Sequence, residues 1–367
     1  MADQTPSTPA SERQERARFQ LDRRDIGSFM AGGERGQRLT GFEDHYTDIV
    51  DSIIRCTHRI WEDKAIGLIY THYAHNTPVH LTDAEHYGRD AVVENTVQSL
   101  AMFPDLRLFG DEVIWNGNDQ DGFHSSHRYT WSGHHRGHGP YGPPTGRRIQ
   151  RREIAHCLVK RGRIVEEWVV HDETALIRQL GLDEVELARV MARAEAERGG
   201  RPYAGGAGEV PRLYGQLHPP VTLDGDPRDP DTLPRLLYGL VWNARMLNYL
   251  TDYYAEGTTV WVPGNRRLSG RGDLTAYLLG LLAAFPDGAM TLDHVNWVGD
   301  EAAGYKIAAR WTFQGTHTGA GVYGPPTGAR VRVIGISHFE AQGGRIEREY
   351  MVWDEFALLK QLHWPER

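Results

Sequence analysis

The sequence predicts two tandem domains of the α+β class, and three observations carry that expectation. The hexapeptide YGPPTG occurs at Tyr141–Gly146 and again, 182 residues later, at Tyr323–Gly328. The match runs along both flanks at the same offset, without a gap from Gly88 to Leu180: Phe103-Pro104-Asp105 meets Phe285-Pro286-Asp287, Trp115 meets Trp297, His156 meets His338, and Gly162-Arg163-Ile164 meets Gly344-Arg345-Ile346. Within each copy, apolar residues at helical spacing come first and strand-like alternation follows. A repeat of this length is a whole domain rather than a solenoid unit, and helices followed by antiparallel strands form an α+β layout.

Taken in order, residues 1–40 are polar, lack the apolar core of a signal peptide and read as a mobile N-terminal extension. The first domain spans 41–182. It opens with helical spacing over 43–73 (Ile49, Ile53, Ile60, Tyr73). A second helix over 90–102 ends at the Phe-Pro-Asp turn, because proline disfavours helix in the residue before it. Strands are expected at Leu106–Trp115, His127–Gly133, Arg148–Val159 and Ile164–His171, with Arg161-Gly162 as a hairpin turn in which glycine takes positive φ. Residues 183–231 hold a helix at about 183–198 and a Gly/Pro-rich linker. The second domain, 232–367, repeats the order, with helices over 233–254 and 273–284 and a hairpin turn at Gly343-Gly344.

Composition narrows the function. A length of 367 residues with 40% hydrophobic content and ten tryptophans can supply two cores. A net charge of −8 without a dense basic stripe argues against nucleic acid as a partner, and no segment reads as membrane-bound. The two cysteines, Cys56 and Cys157, occupy non-equivalent positions, so neither a disulfide framework nor a thiolate metal site is indicated, and a reducing, cytoplasmic setting is expected. No phosphate-binding glycine loop and no nucleophile elbow is present. His134, His135 and His138 crowd a Gly-rich loop but share no clean ligand spacing with a carboxylate, so they read as loop histidines and no metal is expected.

The run from GPPTGRR through REIAHCLVKRGRIVEEWVVHDETALIRQLGL, with its partner in the second copy, resembles SnoaL-like polyketide cyclases and ester cyclases of the nuclear-transport-factor-two-like superfamily. The resemblance implies cone-shaped α+β domains, each with a pocket between helices and a curved sheet, pairing through their sheets as an intrachain pseudo-dimer. A further homo-oligomer is left open. It also implies a general acid/base on the final strand that closes a ring by an intramolecular aldol step, with no cofactor. The matching positions are Asp172 and Asp354. Trp168, Val170 and Asp172 share one strand face, as do Tyr350, Val352 and Asp354, which would set an aromatic wall beside each carboxylate. The other reading makes both aspartates helix caps. His156 and His338, one strand earlier, are within reach as proton carriers.

Five further residues, with Trp168 and Tyr350, complete the candidate substrate-binding set. His135 and His317 sit at the mouth motif, and His80 is one of the histidines that the first copy adds. Arg128 and Arg310 either hold a carboxylate or enolate oxygen or pair with structural acids. The PPTG loop itself reads as a rigid turn. The first copy, richer in histidine, is the more polar pocket, while the second carries Trp261, Trp311, Phe313 and Trp353. The leading function is a cyclase, isomerase or lyase acting on a small aromatic or carbonyl-bearing metabolite. A non-catalytic small-molecule-binding or assembly protein is the alternative.

Overall fold

The computed structural model describes residues 31–203 and 219–365. Residues 1–30 of the expected extension and 204–218 of the linker lie outside the described residues. Residues 37–40 of that extension pack against the first domain. Leu39 is buried, Gln37 Oε1 accepts from the Ile49 amide at 2.9 Å, and the Thr40 hydroxyl donates to Asp119 at 2.7 Å.

The first domain runs α1 (Ile49–Trp61), a 3-10 turn (Ile66–Leu68), α2 (Ile69–His72), β1 (Pro78–His80), β2 (Glu85–Tyr87), α3 (Arg89–Met102), β3 (Arg107–Asn118), β4 (Gly122–His134), β5 (Arg148–Lys160), β6 (Arg163–His171) and α4 (Glu173–Leu180). A connecting helix α5 (Glu184–Glu197) follows. The second domain repeats the order with α6 (Thr232–Leu236), a π-helical turn (Leu237–Asn243), a 3-10 turn (Leu247–Tyr249), α7 (Leu250–Tyr253), β7 (Tyr254–Val262), β8 (Arg266–Ser269), α8 (Gly270–Ala284), β9 (Ala289–Asp300), β10 (Gly304–Thr316), β11 (Arg330–Gln342), β12 (Arg345–Trp353) and α9 (Glu355–Leu362). Each sheet has six strands, ordered β2-β1-β6-β5-β4-β3 and β8-β7-β12-β11-β10-β9, and neither closes into a barrel. Among the described residues no helix is long and apolar enough to cross a membrane.

Local chemistry explains most boundaries. Asp48, Asp172 and Asp354 cap α1, α4 and α9 by accepting amide hydrogens three residues on. The hairpin glycines Gly162 and Gly344 take φ of 70° and 80°, as a two-residue turn requires. Two expected single helices, over 43–73 and 233–254, are each broken. Lys64 and Arg245 occupy the left-handed region at φ 60° and 59°, which ends the first helix and starts a new one at a different angle. The short strands β1, β2 and β8 lack the alternation that would reveal them in sequence.

The two sheets face each other and bury a shared apolar layer in which Ile154 and Val170 meet Ile334, Ile336 and Val352. Cross-domain stacking repeats about the pseudo-two-fold axis. The Arg310 guanidinium lies 3.7 Å above the Trp168 ring, and the Arg128 guanidinium lies 3.7 Å above Tyr350. The expected intrachain pseudo-dimer is therefore the observed architecture.

Candidate active site

Because both faces of each sheet are covered, strand parity decides where a side chain goes. Even-numbered residues of β4–β6 meet the other domain, while odd-numbered ones line a cavity of about 480 Å³ beneath α1 and α3. Trp61, Tyr73, Tyr129, Trp131 and Val169 form its apolar walls. The second domain completes it with Asp354, Phe356 and Lys360 from the start of α9 and its second turn. Deep in the second domain only about 20 Å³ is left, with an apolar lining, while toward its mouth Tyr277, Tyr323 and Glu355 border a separate recess of about 290 Å³. Where the first domain has Glu153, the second has Gly335, and the Trp311 ring lies directly over it: a β-carbon built there would sit 2.2 Å from the ring. Met351 and Trp353 occupy the positions of Val169 and His171.

At one end of the cavity stands a charged network. His171 Nε2 lies 3.3 Å from Asp354 Oδ2 and 3.6 Å from Glu173 Oε2. Arg151 pairs with Glu173 and, at 2.9 Å, with Glu153, while the Tyr141 hydroxyl donates to Glu173 and the Tyr129 hydroxyl to Glu153 at 2.6 Å. Burial alone pulls the His171 imidazole down, but the hydrogen bond and charge of Asp354, with Glu173 behind it, outweigh burial and lift it to about 9. The ring is an imidazolium at neutral pH. Lys360 reaches across from α9 to Asp83 and, at 2.9 Å, to Glu195 on α5, which fixes the cavity's domain-two wall.

Toward the other end sits Glu167, on the same face of β6. Burial raises its carboxyl, and the hydrogen bonds donated by Cys157 and Tyr73 do not fully offset this, so it rests at about 7. The Tyr73 hydroxyl lies 3.2 Å from Glu167 Oε2. A carboxyl so poised exists in both forms near neutrality, which is what proton transfer at neutral pH requires. Glu349, its counterpart, also rests at about 7 but has no open cavity to serve.

The residues singled out by sequence fall in three places. Asp354 is on the cavity wall, where it also caps α9. Asp172 is not: the even-numbered face expected to line the pocket is the domain interface, and its carboxylate accepts from Ala175 at 3.1 Å, Gly264 at 2.7 Å and Asn265 at 2.9 Å, tying α4 to the β7–β8 turn. Trp168, Tyr350, Arg128, Arg310, His156 and His338 share that interface for the same reason of parity. His338 is held there by Glu112 at 3.0 Å and Ser126 at 2.8 Å. His80, on β1, stacks on Trp168 and pairs with Glu166 at 3.1 Å on the neighbouring β6.

His135 and His317 are packed inside their loops, where Nδ1 accepts from the amides of Thr145 and Thr327 at 3.3 Å. These contacts show what the repeated hexapeptide does. Its threonine locks onto the histidine, and its tyrosine hydroxyl reaches the first-turn glutamate, Glu173 or Glu355.

Sequence reasoning missed Glu167, His171, Arg151 and Tyr129. A usable signal existed in the offset comparison. On the odd-numbered face Arg151, Glu153 and His171 become Val333, Gly335 and Trp353, a polar-to-apolar change confined to one side of the sheet.

Comparisons with known proteins bear on this arrangement. Residues 48–180 and 233–362 each match the family model described as SnoaL-like polyketide cyclase. Among curated proteins none matches the chain. Of the solved structures, a candidate SnoaL-like polyketide cyclase from Jannaschia Sp. CCS1 is 17% identical over 40% of this chain and 100% of its own, with a TM-score of 0.34. IdmH, a candidate polyketide cyclase from Streptomyces antibioticus, is 23% identical over 36% of this chain and 98% of its own, at 0.32. AclR, a candidate hydroxylase from Streptomyces galilaeus, is 20% identical over 37% and 97%, also at 0.32.

Proposed function

The chain belongs to the SnoaL-like polyketide cyclase family, once in each half, and from that premise we propose that its first domain is a general acid/base enzyme acting on a small aromatic, carbonyl-bearing metabolite, while its second domain is a scaffold. The observation that carries this reading is Glu167, a carboxyl resting at about 7 on the wall of the first domain's cavity. Glu167 takes a proton from a carbon next to a carbonyl. The resulting enolate carbon attacks a second carbonyl of the same molecule, forming a carbon–carbon bond and an alkoxide. Glu167 then returns the proton to that alkoxide, so the step is an isomerisation that consumes nothing.

The Tyr73 hydroxyl donates to Glu167 in the resting site, and once Glu167 holds the substrate's proton that hydroxyl can turn its own proton to the developing oxyanion. His171 lies four residues along the same strand face, about 13 Å from Glu167 at Cα. It therefore addresses the opposite end of a fused-ring ligand, where its imidazolium and Arg151 suit a ketone, phenolate or carboxylate oxygen. Trp61, Tyr129 and Trp131 supply the flat apolar wall between. The second domain supports the reading of a non-catalytic half: its deep interior is filled by Trp311, Met351 and Trp353, the recess at its mouth does not include Glu349, and its contribution to the first domain's cavity is the α9 residues Asp354 and Lys360.

The test is turnover of a fused-ring aromatic β-keto ester, followed by mass-neutral conversion of the open keto ester to its ring-closed isomer. Glu167→Gln should cost about 10²-fold or more in kcat, the usual worth of a positioned acid/base, while Glu349→Gln in the filled domain leaves kcat at the parental value. Loss of turnover in the Glu349 variant with retention in the Glu167 variant would reverse the assignment.

A further inference from the structure

Between the two sheets, on the face opposite the cavity, three imidazoles converge: His124 on β4, His156 on β5, and His294 on β9 of the second domain. One ring nitrogen from each lies within 4.8 Å of the others. His156 is fully buried and neither of its nitrogens has a hydrogen-bond partner; Nδ1 of His124 and of His294 are likewise buried and unpartnered. Groups stripped of water and left unpaired cost the fold their full desolvation, so a cluster of four such atoms calls for a ligand.

The other half of the pseudo-dimer shows a satisfied version of the same place. The repeat relates His124, His156 and His294 to Lys306, His338 and Glu112. There the Lys306 ammonium sits 2.7 Å from Glu112, and His338 is held by Glu112 and Ser126. That half carries its own cation and its own acceptor. In the first half imidazole replaces both the ammonium and the carboxylate, which leaves lone pairs and removes the cation.

We propose that His124, His156 and His294 bind a divalent transition-metal ion of the zinc type that ties the two domains together. Three imidazoles with no thiolate or carboxylate suit Zn²⁺ or Co²⁺, with a fourth position left open. At metal–nitrogen distances of about 2.1 Å, tetrahedral ligand atoms are about 3.4 Å apart. No pair is more than 4.8 Å apart, so each closes by at most about 1.4 Å on binding, within reach of side-chain rotation. Burial, reinforced by the Arg310 guanidinium and the neighbouring rings, holds all three imidazoles below their usual range, and the same guanidinium opposes a bound dication unless an anion accompanies it. Arg310 and Lys160 face the cluster against Glu166, and these cations favour an anion such as hydroxide or chloride at the open position. Asn296, two residues from His294 on the same face of β9, is fully buried with its amide oxygen unpartnered, and offers a neutral oxygen nearby.

The test uses the full chain, freed of metal by a chelator and titrated with Co²⁺ for visible absorption and Zn²⁺ for thermal midpoint. One equivalent per chain should bind, give the intense visible bands of tetrahedral Co²⁺ and raise the unfolding midpoint. His124→Asn and His294→Asn should each weaken binding by more than the roughly 100-fold that an outer-shell partner can be worth and remove the zinc-dependent rise. His138→Asn in the exposed loop should change neither. The proposal is overturned by absence of one-to-one binding, by binding that survives both substitutions, or by loss in the His138 variant. Should a variant fail to fold, the cobalt spectrum of the parent chain decides by itself, since the weak bands of an octahedral ion would contradict three-imidazole ligation.

Discussion

Glu167→Gln isolates the group on which the proposed chemistry turns, and its effect on stability can be worked out without a substrate. The carboxyl moves from an ordinary 4.5 to about 7 on folding. Between those values the folded chain keeps a proton that the unfolded chain releases, so stability falls as pH rises from 4.5 and levels off above about 7. A shift of this size corresponds to about 3 kcal/mol per group. Glutamine has nearly the same size and no proton to lose, so it removes that slope. Urea unfolding of parent and variant, measured from pH 4 to 8, should give closely similar midpoints at pH 4 and a variant more stable by up to about 3 kcal/mol at pH 8. Glu349 keeps its own slope in both proteins and cancels in the difference. A difference that stays constant across the range would falsify the claim that Glu167 is held near neutrality, and with it the basis for choosing this residue as the base.

Two further outcomes follow from the same geometry. His171 is raised from 6.5 to about 9, so its stabilising contribution is full below 6.5 and lost as pH climbs through 9. His171→Gln should therefore cost up to about 3 kcal/mol at pH 6, with the gap to the parent closing above pH 9, as read from thermal midpoints. Asp172→Asn should lower stability by about 1–3 kcal/mol, because both carboxylate oxygens accept amide hydrogens and an asparagine NH₂ must oppose one donor; ligand affinity measured alongside should be unchanged.

Much of the fold was legible because the duplication compares the chain with itself. Phe-Pro-Asp turns, hairpin glycines and YGPPTG fix element order in both copies. The site was less legible for a physical reason. In Arg163–His171 both faces mix apolar and charged residues: Glu166 and Trp168 on one, Glu167 and Val169 on the other. Alternation separates the faces but does not say which is concave, because domain pairing buries the second face as well. Choosing the face of Trp168 and Asp172 therefore placed the chemistry in the interface. Asp354 reached the cavity by another route, as the cap of a helix lent by the partner domain. Its neighbour His171 carried a sequence signal, the change to Trp353, that marks the position where one copy kept polar chemistry and the other filled its core.

The central claim is that two homologous domains provide one working cavity. Calorimetric titration of the full chain with a non-reacting fused-ring aromatic ketone tests it directly, beside Val169→Trp, which places a large ring on the cavity wall. The account predicts one equivalent bound per chain and none bound by the variant. Two equivalents per chain, or undiminished binding by Val169→Trp, would contradict it.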